Sequence, residues 1–386
     1  MEARDAARAI GQFLRAVEDA YPERGRTAAA IILAGVARSN CLLVGPPGSA
    51  KTALAVRTLD ALYGARPFSA TLSPYSTDDQ LLGPIDLGAL QKGDVARAAG
   101  DYLPAARAAF VDEVSRGGPA VRALLLSALA DREIDGARIP LECVVGATNF
   151  LLGDEAEQAF MDRFAVRVHV PYLESENSLD SFLAGAATAQ IGAGSAPSLP
   201  SLNGGVPGNT GILDALRAGA DAAQIPAEIL AAVRKIAQNL RTRDGDGPRP
   251  SDRRLRWLLD HLRARAAMAG RDAATFEDLA KVAPMVLAAD EGEAAIVAGA
   301  VRAAMPAHLD ALNQFSEVCA GALRAAREVS ERIERGEPVS DSDAGAALRA
   351  RADIRDGAAA IVAQFPAAAA EAEAARDGAL AELSQI

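Results

Sequence analysis

Residues 41–52 read Cys-Leu-Leu-Val-Gly-Pro-Pro-Gly-Ser-Ala-Lys-Thr, an apolar run followed by a turn rich in glycine and proline and then by Lys-Thr. This order predicts a short strand, a turn and the start of a helix. Such a turn points successive backbone N–H groups inward at a helix N-terminus, where they form a nest for an anion. The pattern predicts a phosphate-binding loop, in which Lys51 contacts the β- and γ-phosphates and the Thr52 hydroxyl binds Mg²⁺.

Eight consecutive residues form the predicted loop: Gly45, Pro46, Pro47, Gly48, Ser49, Ala50, Lys51 and Thr52. At one position Ala50 stands where such a loop usually has glycine. The alternative interpretation is an ordinary turn before a helix. The flanking strand-like run and the helical stretch Lys51–Tyr63 lie where the motif requires them, and they favour the phosphate loop.

The length, composition and net charge of the chain limit the class of protein. At 386 residues it is too long for one compact core, so we expect two or three domains. Half of the residues are apolar, alanine is abundant and aromatic residues are few, which favours helices. A net charge of −11 argues against general binding to nucleic acid or to membrane surfaces, although it does not exclude a local basic groove.

Cysteine usage and the N-terminal sequence bear on localisation. Cys41, Cys143 and Cys319 are widely spaced and form no metal-ligand pattern, which predicts buried free thiols in a reducing compartment. The N-terminal stretch has no signal-peptide core, and the longest apolar run is shorter than the ~20 residues of a membrane span. We therefore expect a cytoplasmic protein without a membrane span.

Strand-like and helical segments alternate from residue 41 to residue 170, which is typical of a parallel sheet covered by helices. The strand-like runs are Cys41–Val44, Phe68–Leu72, Ala108–Val111, Leu141–Ala147 and Ala165–Val170. Helical patterns separate most of them: Lys51–Tyr63, Pro119–Ala130 and Glu155–Asp162. We predict an α/β nucleotide-binding core over residues 1–175.

Helical patterns dominate the rest of the chain. We predict an α-helical domain over residues 176–288, with a flexible loop at about 192–211, and an acidic helical bundle or coiled-coil arm over residues 289–386. From Asp290 onward the chain has 17 acidic residues, nine arginines and no lysine. The predicted helices of the arm are Glu291–Arg335, Ser340–Gln364 and Ala367–Ile386. The arm is either a docking surface for a partner or a solvated appendage that packs on its own domain.

Two adjacent carboxylates close the third strand-like run, Ala108-Ala-Phe-Val-Asp-Glu113. In nucleotide hydrolysis Asp112 would hold Mg²⁺ through water, and Glu113 would orient and polarise the attacking water. An isolated Asp-Glu pair is a weak indication. A pair about 60 residues after a phosphate loop, in the pattern of a parallel sheet, predicts a hydrolytic site.

Polar residues further along the chain extend the predicted site. Asn149 ends the fourth strand-like run and would bridge the γ-phosphate and the attacking water, or it is simply a turn residue. Arg163 would reach the γ-phosphate of a neighbouring subunit as an arginine finger, or it forms an ion pair with Asp162. Arg253 or Arg254, at the start of a helix, would lean over the nucleotide from the helical domain, or the two are simply a charged helix start.

Together these motifs resemble the AAA+ ATPases, and within them the MoxR group, most closely the RavA type. The phosphate loop has the alanine-before-lysine variant that is common in that group. Further similar stretches are Ser76-Thr-Asp-Asp-Gln-Leu-Leu-Gly-Pro84, Asp101-Tyr-Leu-Pro104, Phe110-Val-Asp-Glu-Val114, Gly118-Pro-Ala-Val-Arg-Ala-Leu-Leu125, Asp162-Arg-Phe164, Ser251-Asp-Arg-Arg-Leu255 and Gly270-Arg-Asp272. The similarity covers roughly residues 15–288.

The resemblance implies an αβα core with strand order 5-1-4-3-2, an α-helical lid, and a ring hexamer with ATP between subunits. It makes residues 45–52 the Walker A motif, Asn149 sensor 1, Arg163 the arginine finger and Arg253 the sensor 2 arginine. It also implies a protein partner with a von Willebrand factor A domain. RavA-type proteins carry a small inserted β-rich module as well, for which this sequence shows no strand-like segment.

On this basis we predict a magnesium-dependent, ATP-hydrolysing AAA+ motor that remodels or activates a partner protein in a chaperone-like way. Three alternatives stay open: a nucleotide-switched assembly scaffold with little turnover, a nucleic-acid-stimulated ATPase, and a subunit of a metal-chelatase-type motor. The presence of Glu113 and Arg163 argues against the scaffold, and the acidic net charge argues against nucleic acid.

Overall fold

The structure, a computed structural model, describes residues 3–92, 97, 100–149, 159–188, 199–202, 211–243, 247–335, 338, 341–365 and 368–384. It divides into two compact units, residues 1–300 and residues 301–386. Most of the predicted flexible loop at 192–211 lies outside the described residues. The boundaries at residues 175 and 288 stay predictions.

A five-stranded parallel sheet forms the centre of the first unit. The strands of the chain are β1 (Cys41–Val44), β2 (Phe68–Thr71), β3 (Ala108–Asp112), a short antiparallel hairpin of β4 (Glu133–Ile134) and β5 (Ala137–Arg138), β6 (Cys143–Thr148) and β7 (Val166–His169). The spatial order of the sheet is β2-β3-β6-β1-β7, with every pairing parallel. The predicted order is confirmed, since the hairpin is not part of the sheet. All five strands therefore end at the same edge.

The residues of the central strands are mostly apolar and are buried in the core. Every residue of β6 is buried, and so are Cys41, Leu42 and Leu43 of β1. Such nearly continuous apolar runs are typical of parallel strands that are covered on both faces. All three cysteines are free and buried, as predicted, and burial raises the pKa of the Cys143 thiol to about 12.

Within the described ranges, six α-helices accompany the sheet: α1 (Ala3–Ala20), α2 (Gly25–Val36), α3 (Lys51–Tyr63), α4 (Asp78–Leu82), α5 (Leu87–Leu90) and α6 (Pro119–Ala130). Helix α1 buries apolar residues at helical spacing, from Ala6 to Val17. Helix α6 begins at Pro119. Proline is well tolerated there, because the first N–H groups of a helix make no intrahelical bond and the missing N–H of proline is therefore not needed. Of the predicted helix Glu155–Asp162, residues 155–158 lie outside the described part of the chain.

Helices continue after the sheet in the first unit. They are α7 (Glu176–Thr188), α8 (Gly211–Ala222), α9 (Ala227–Thr242), α10 (Asp252–Met268), α11 (Phe276–Leu287) and α12 (Glu291–Ala304), which crosses into the second unit. Ser251 caps α10 by accepting the N–H of Arg254 at 3.3 Å, and Thr275 forms a capping box with Asp278 at the start of α11. No strand follows His169 within the described ranges.

The second unit contains α13 (Ala307–Glu334), α14 (Asp341–Gln364) and α15 (Ala369–Leu383) around a small apolar core that includes Phe315 and Ile354. The prediction of one continuous helix over Glu291–Arg335 is wrong, because α12 ends at Ala304 and α13 begins at Ala307. Pro306 separates them, since proline has no N–H for a helix bond and disfavours helical backbone in the residue before it. Among the described residues, no helix is both long and apolar enough to cross a bilayer.

Candidate active site

The loop between β1 and α3 has a backbone that suits an anion. Gly48 and Ala50 lie in the left-handed region, with φ of +80° and +65°. A Cβ on Gly45 would lie 2.2 Å from the carbonyl oxygen of Val170, so only glycine fits beside the end of β7. The left-handed backbone at Ala50 explains why glycine is usual there, since a Cβ costs about 1–2 kcal/mol in this region.

Side chains and carbonyls of the loop bond to one another. The Ser49 hydroxyl donates to the Pro46 carbonyl at 2.9 Å, and the hydroxyl of Tyr172 donates to the Pro47 carbonyl at 3.1 Å. Lys51 is 6% exposed, and its Nζ donates to the carbonyls of Gly45 and Pro46 at 2.7 Å each. Burial lowers the pKa of Lys51, and the nearby carboxylates of Asp112 and Glu113 oppose that shift.

Thr52 and Asp112 form a pair of oxygen donors at the edge of the sheet. The Thr52 hydroxyl donates to Asp112 Oδ2 at 2.8 Å, although the two residues are 60 positions apart in sequence. Asp112 Oδ1 accepts the backbone N–H of Glu113 at 3.0 Å. A hydroxyl and a carboxylate beside a phosphate site are the hard ligands that Mg²⁺ prefers, so these residues fit the predicted ion.

Glu113 is held in a strained conformation, with a hydrogen bond to one carboxylate oxygen and an ion pair with the other. Its φ is +50°, which is uncommon for a residue with a side chain and recurs at functional sites. Glu113 Oε1 accepts from Asn149 Nδ2 at 2.7 Å, and Arg116 Nε lies 3.2 Å from Oε2. Asn149 Oδ1 in turn accepts from Lys51 at 3.2 Å. The structure thus brings Lys51, Asn149 and Glu113 together, because β1, β6 and β3 are neighbours.

The arginines of the prediction converge on one carboxylate, Asp162, and not on the loop. Arg254 Nε donates to Asp162 Oδ1 at 3.0 Å, while Nη1 of Arg253 and Nη1 of Arg163 lie 3.5 Å and 3.9 Å from Oδ2. The contacts that the structure gives Arg163 and Arg253 do not include residues 45–52. The predicted arrangement of these two arginines around the nucleotide is therefore not formed within this single chain.

Arg254 joins α10 to the core. It is 5% exposed, and it donates to the carbonyls of Phe164, Ala165 and Val286 at 2.7–3.2 Å. Its guanidinium also lies 5.4 Å from the centre of the Trp257 ring. Burial lowers the pKa of Arg254, and Asp162 opposes the shift. These bonds use most of the N–H groups of Arg254. By contrast, the neighbouring Arg253 has a side chain that is 51% exposed.

Arg24 is a site residue that the sequence analysis missed. It is 4% exposed, its Nε donates to the Ser49 carbonyl at 3.3 Å, and its Nη2 donates to the Pro171 carbonyl at 2.7 Å. Burial lowers the pKa of its guanidinium. Arg24 thereby ties the loop to the chain that leaves β7. No motif marks it, since it lies between two helices and reaches the loop across 25 positions.

A cavity of about 950 Å³ adjoins this side of the loop. Its walls come from the core, at Arg24, Val44 and Pro171, and from α11, at Pro284 and Met285. Val44 directly precedes the loop. The cavity is large enough for a small-molecule ligand, although none of residues 45–52 is among its lining residues.

Two family models match the chain. Residues 8–199 match the model described as the MoxR domain in the MoxR-vWA-beta-propeller ternary systems. Residues 257–289, which lie in α10, α11 and the turns beside them, match the AAA lid domain. Neither match includes the second unit.

Curated relatives align with less than half of the chain. The uncharacterised proteins MJ0812 and MJ0079 of Methanocaldococcus jannaschii are 30% identical over 153 residues and 31% identical over 149 residues. These alignments cover 38% and 37% of this chain, and 41% and 39% of the relatives. The structural protein ORF618 of Acidianus two-tailed virus is 28% identical over 175 residues, 42% of this chain and 28% of that protein. The chain thus spans about two fifths of the archaeal relatives and less of the viral one.

A solved structure shares the fold. A candidate ATPase from Cytophaga hutchinsonii superimposes with a TM-score of 0.60 at 18% identity, over 78% of this chain and 95% of that one. This likeness agrees with the sheet order and with the two family matches. Residues 8–199 are thus similar to a MoxR domain and residues 257–289 to an AAA lid domain, and together with the shared fold these matches support a MoxR-type AAA+ ATPase.

Proposed function

We propose that this chain binds ATP between the sheet and the lid and hydrolyses it with Mg²⁺. The observation that carries the proposal is the hydrogen-bonded series from Lys51 through Asn149 to Glu113, with distances of 3.2 Å and 2.7 Å. In this series an ammonium group, which we propose binds phosphate, and a carboxylate, which we propose activates water, lie on either side of one amide. The adjoining cavity of about 950 Å³ provides room for the nucleoside.

Each residue of the site has a separate task. The N–H groups of the loop and the Lys51 ammonium bind the β- and γ-phosphates. Thr52 and Asp112 hold Mg²⁺, which when bound neutralises charge on the phosphate oxygens. Glu113 orients and polarises the attacking water, and Asn149 fixes the Glu113 carboxylate as sensor 1.

Arg163 acts as an arginine finger toward the nucleotide of a neighbouring subunit. Its ion pair with Asp162 is long, at 3.9 Å, and its Nε is buried without a hydrogen-bond partner among the described residues. A guanidinium with unused donors gains by binding an external anion. Such fingers contribute roughly 10³–10⁵ in rate where they have been measured.

Arg253, rather than Arg254, is the sensor 2 arginine. The buried Arg254 already donates to three carbonyls and one carboxylate, so moving it would leave those acceptors unpaired. Arg253 is half exposed and has one long contact, with Asp162. Movement of Arg253 toward a nucleotide would therefore break only this long contact with Asp162.

We further propose that the protein is a cytoplasmic, RavA-like motor that forms a ring, as a hexamer, and remodels a partner in a chaperone-like way. The partner carries a von Willebrand factor A domain. The description of the matched MoxR domain, which names vWA and β-propeller components, supports this partner. The helical unit of residues 301–386 serves as the docking arm.

The direct test is release of phosphate from ATP by the purified full chain. We expect Mg²⁺-dependent turnover in the wild type, and for Glu113→Gln a loss of about 10²–10³-fold in kcat with nucleotide binding retained. Glu371→Gln is a matched control, since Glu371 is an exposed residue of α15. Wild-type turnover in Glu113→Gln contradicts the role of Glu113, whereas no turnover in the wild type contradicts the proposal and favours the nucleotide-switched scaffold.

The partner is tested with the same variant. Glu113→Gln loaded with ATP should stay bound to the protein on which the motor acts, whereas the ADP-loaded form should release it. Recovery of a protein with a von Willebrand factor A domain in the ATP sample alone is the expected result. Equal recovery with ATP and ADP contradicts a remodelling cycle.

A further inference from the structure

Asp162 lies where three guanidinium groups converge, and its two oxygens cannot bond all of them well. Oδ1 accepts from the buried Arg254 at 3.0 Å. Oδ2 is left for Arg253 at 3.5 Å and for Arg163 at 3.9 Å. A well-formed charge-assisted bond measures about 2.7–2.9 Å, so both of these arginines are weakly held.

The surroundings leave mainly these two side chains free to move. Three backbone carbonyls fix Arg254, and through it Asp162. The carbonyl of Arg163 accepts from Asn40 Nδ2 at 3.0 Å, which fixes its backbone. The side chains of Arg163 and Arg253 are 27% and 51% exposed. If one of them leaves Oδ2, the other is drawn closer, because it becomes the main counter-charge of that oxygen.

In the proposed function, on which this inference rests, the two arginines serve different nucleotides. Arg253 turns to the ATP of its own subunit, and Arg163 turns to the ATP of the neighbour. We propose that Asp162 is a positioning residue that couples these two sites. When Arg253 leaves for its own ATP, Oδ2 holds Arg163 back, and when Arg253 returns, Arg163 is released toward the neighbour.

This exchange gives the coupling a definite sign. A subunit with ATP in its own site withholds its finger, so the neighbouring site hydrolyses slowly. A subunit with an empty site offers its finger, so the neighbouring site hydrolyses faster. A ring filled with ATP should therefore turn over more slowly per site than a ring in which sites are partly empty.

Mixed rings test this coupling directly. Wild-type subunits are diluted into an excess of Lys51→Met subunits, which do not bind ATP but keep Arg163, Arg253 and Asp162. We expect turnover per wild-type subunit to rise about fivefold, the lower end of measured couplings between sites. When every subunit also carries Asp162→Asn, dilution should give no rise, because the finger is then released in both states.

A matched control separates coupling from stability. Glu142 forms another ion pair between the core and the later helices, with Arg217 at 2.6 Å, and it has no described contact with Arg163 or Arg253. Glu142→Gln in every subunit should retain the fivefold rise. Thermal unfolding of the Asp162→Asn and Glu142→Gln chains shows whether both are folded.

The outcomes divide clearly. No rise on dilution of an active wild type, or a rise that persists with Asp162→Asn, overturns the coupling and leaves the proposed hydrolysis intact. A conservative Asp162→Glu variant, which keeps the charge, should recover part of the rise. Absence of turnover in the undiluted wild type overturns the proposed function, and the coupling with it.

Discussion

The amide nitrogen of Asn149 donates a hydrogen bond of 2.7 Å to Glu113, and the two residues directly follow the neighbouring strands β6 and β3. The bond fixes a carboxylate whose backbone is already strained, at φ of +50°. We expect Asn149→Ala to lower kcat for ATP by about 10²-fold, while the affinity for nucleotide changes little. Steady-state kinetics together with direct binding measure the two effects separately. Wild-type kcat in this variant contradicts the role of the bond.

Lys51 is expected to decide nucleotide affinity. Its ammonium lies at the centre of the loop, donating to two loop carbonyls and to Asn149. Lys51→Met keeps the apolar stem and removes the charge, so binding of ATP should fall below detection by calorimetry. Lys281→Met is the control, because Lys281 pairs with Glu277 on the surface of α11. Tight binding of ATP by Lys51→Met excludes the phosphate-loop assignment.

Arg24 is expected to matter for both stability and affinity. Arg24→Met leaves the buried carbonyl of Ser49 and the partly buried carbonyl of Pro171 without these donors, which should lower the free energy of unfolding by about 1–3 kcal/mol. The loosened loop should also raise KM for ATP more than it lowers kcat. Arg15→Met, at an exposed position of α1, is the control. An unchanged KM in Arg24→Met shows that the loop holds its shape without this contact.

The sequence predicts those parts of the site that depend on strand order. In a parallel sheet the residues after β1, β3 and β6 meet at one edge whatever the details of packing, so Lys51, Glu113 and Asn149 are expected together. Arg24 reaches the loop only through tertiary packing, and no local pattern reveals it. The break between α12 and α13 at Pro306 was missed for another reason. The apolar pattern of a helix continues across this position, although the proline itself ends the helix.

The sequence also does not predict that Arg163, Arg253 and Arg254 all contact Asp162. The distance from Arg253 to Gly270-Arg-Asp272 agrees with the spacing in the family and favours Arg253 over Arg254, but it does not show how either side chain is held. The distinction arises because Arg254 is buried against three carbonyls, whereas its neighbour along the helix is half exposed. Burial depends on how the lid packs on the core, and adjacent helical residues point in different directions.

Replacing either glycine of the loop by alanine should destabilise the protein, by different amounts and for different reasons. Gly45→Ala forces a Cβ to within 2.2 Å of the Val170 carbonyl oxygen, a backbone atom that has little room to shift, so it should lower the free energy of unfolding by about 1–3 kcal/mol. A Cβ on Gly48 meets nothing within 4 Å, so Gly48→Ala costs only the strain of its φ of +80°, about 1 kcal/mol. Chemical denaturation compares them. Equal losses contradict the close approach at Gly45.

His261 should make the first unit sensitive to acid. It is fully buried on α10, with Nδ1 at 2.6 Å from the Trp257 carbonyl and Nε2 at 2.8 Å from the Ser39 hydroxyl. A carbonyl can only accept, so Nδ1 carries the proton and Nε2 accepts from Ser39. Burial is the main cause that lowers the pKa of His261 from 6.5 to about 4, and nearby Arg254 adds to it.

The direction of the pH effect follows from this lowered pKa. Between pH 6.5 and pH 4 the unfolded chain binds a proton at His261 that the folded chain does not, so acid favours unfolding. The contribution of His261 is complete above pH 6.5, and up to about 3 kcal/mol is lost as the pH falls toward 4. Fluorescence of Trp257, the one tryptophan of the chain, reports unfolding of this unit. His261→Gln should flatten the pH dependence of the free energy of unfolding in this range. The control His308→Gln, in α13, should leave that dependence unchanged. The same slope in His261→Gln and in the wild type would show that other groups cause the pH dependence.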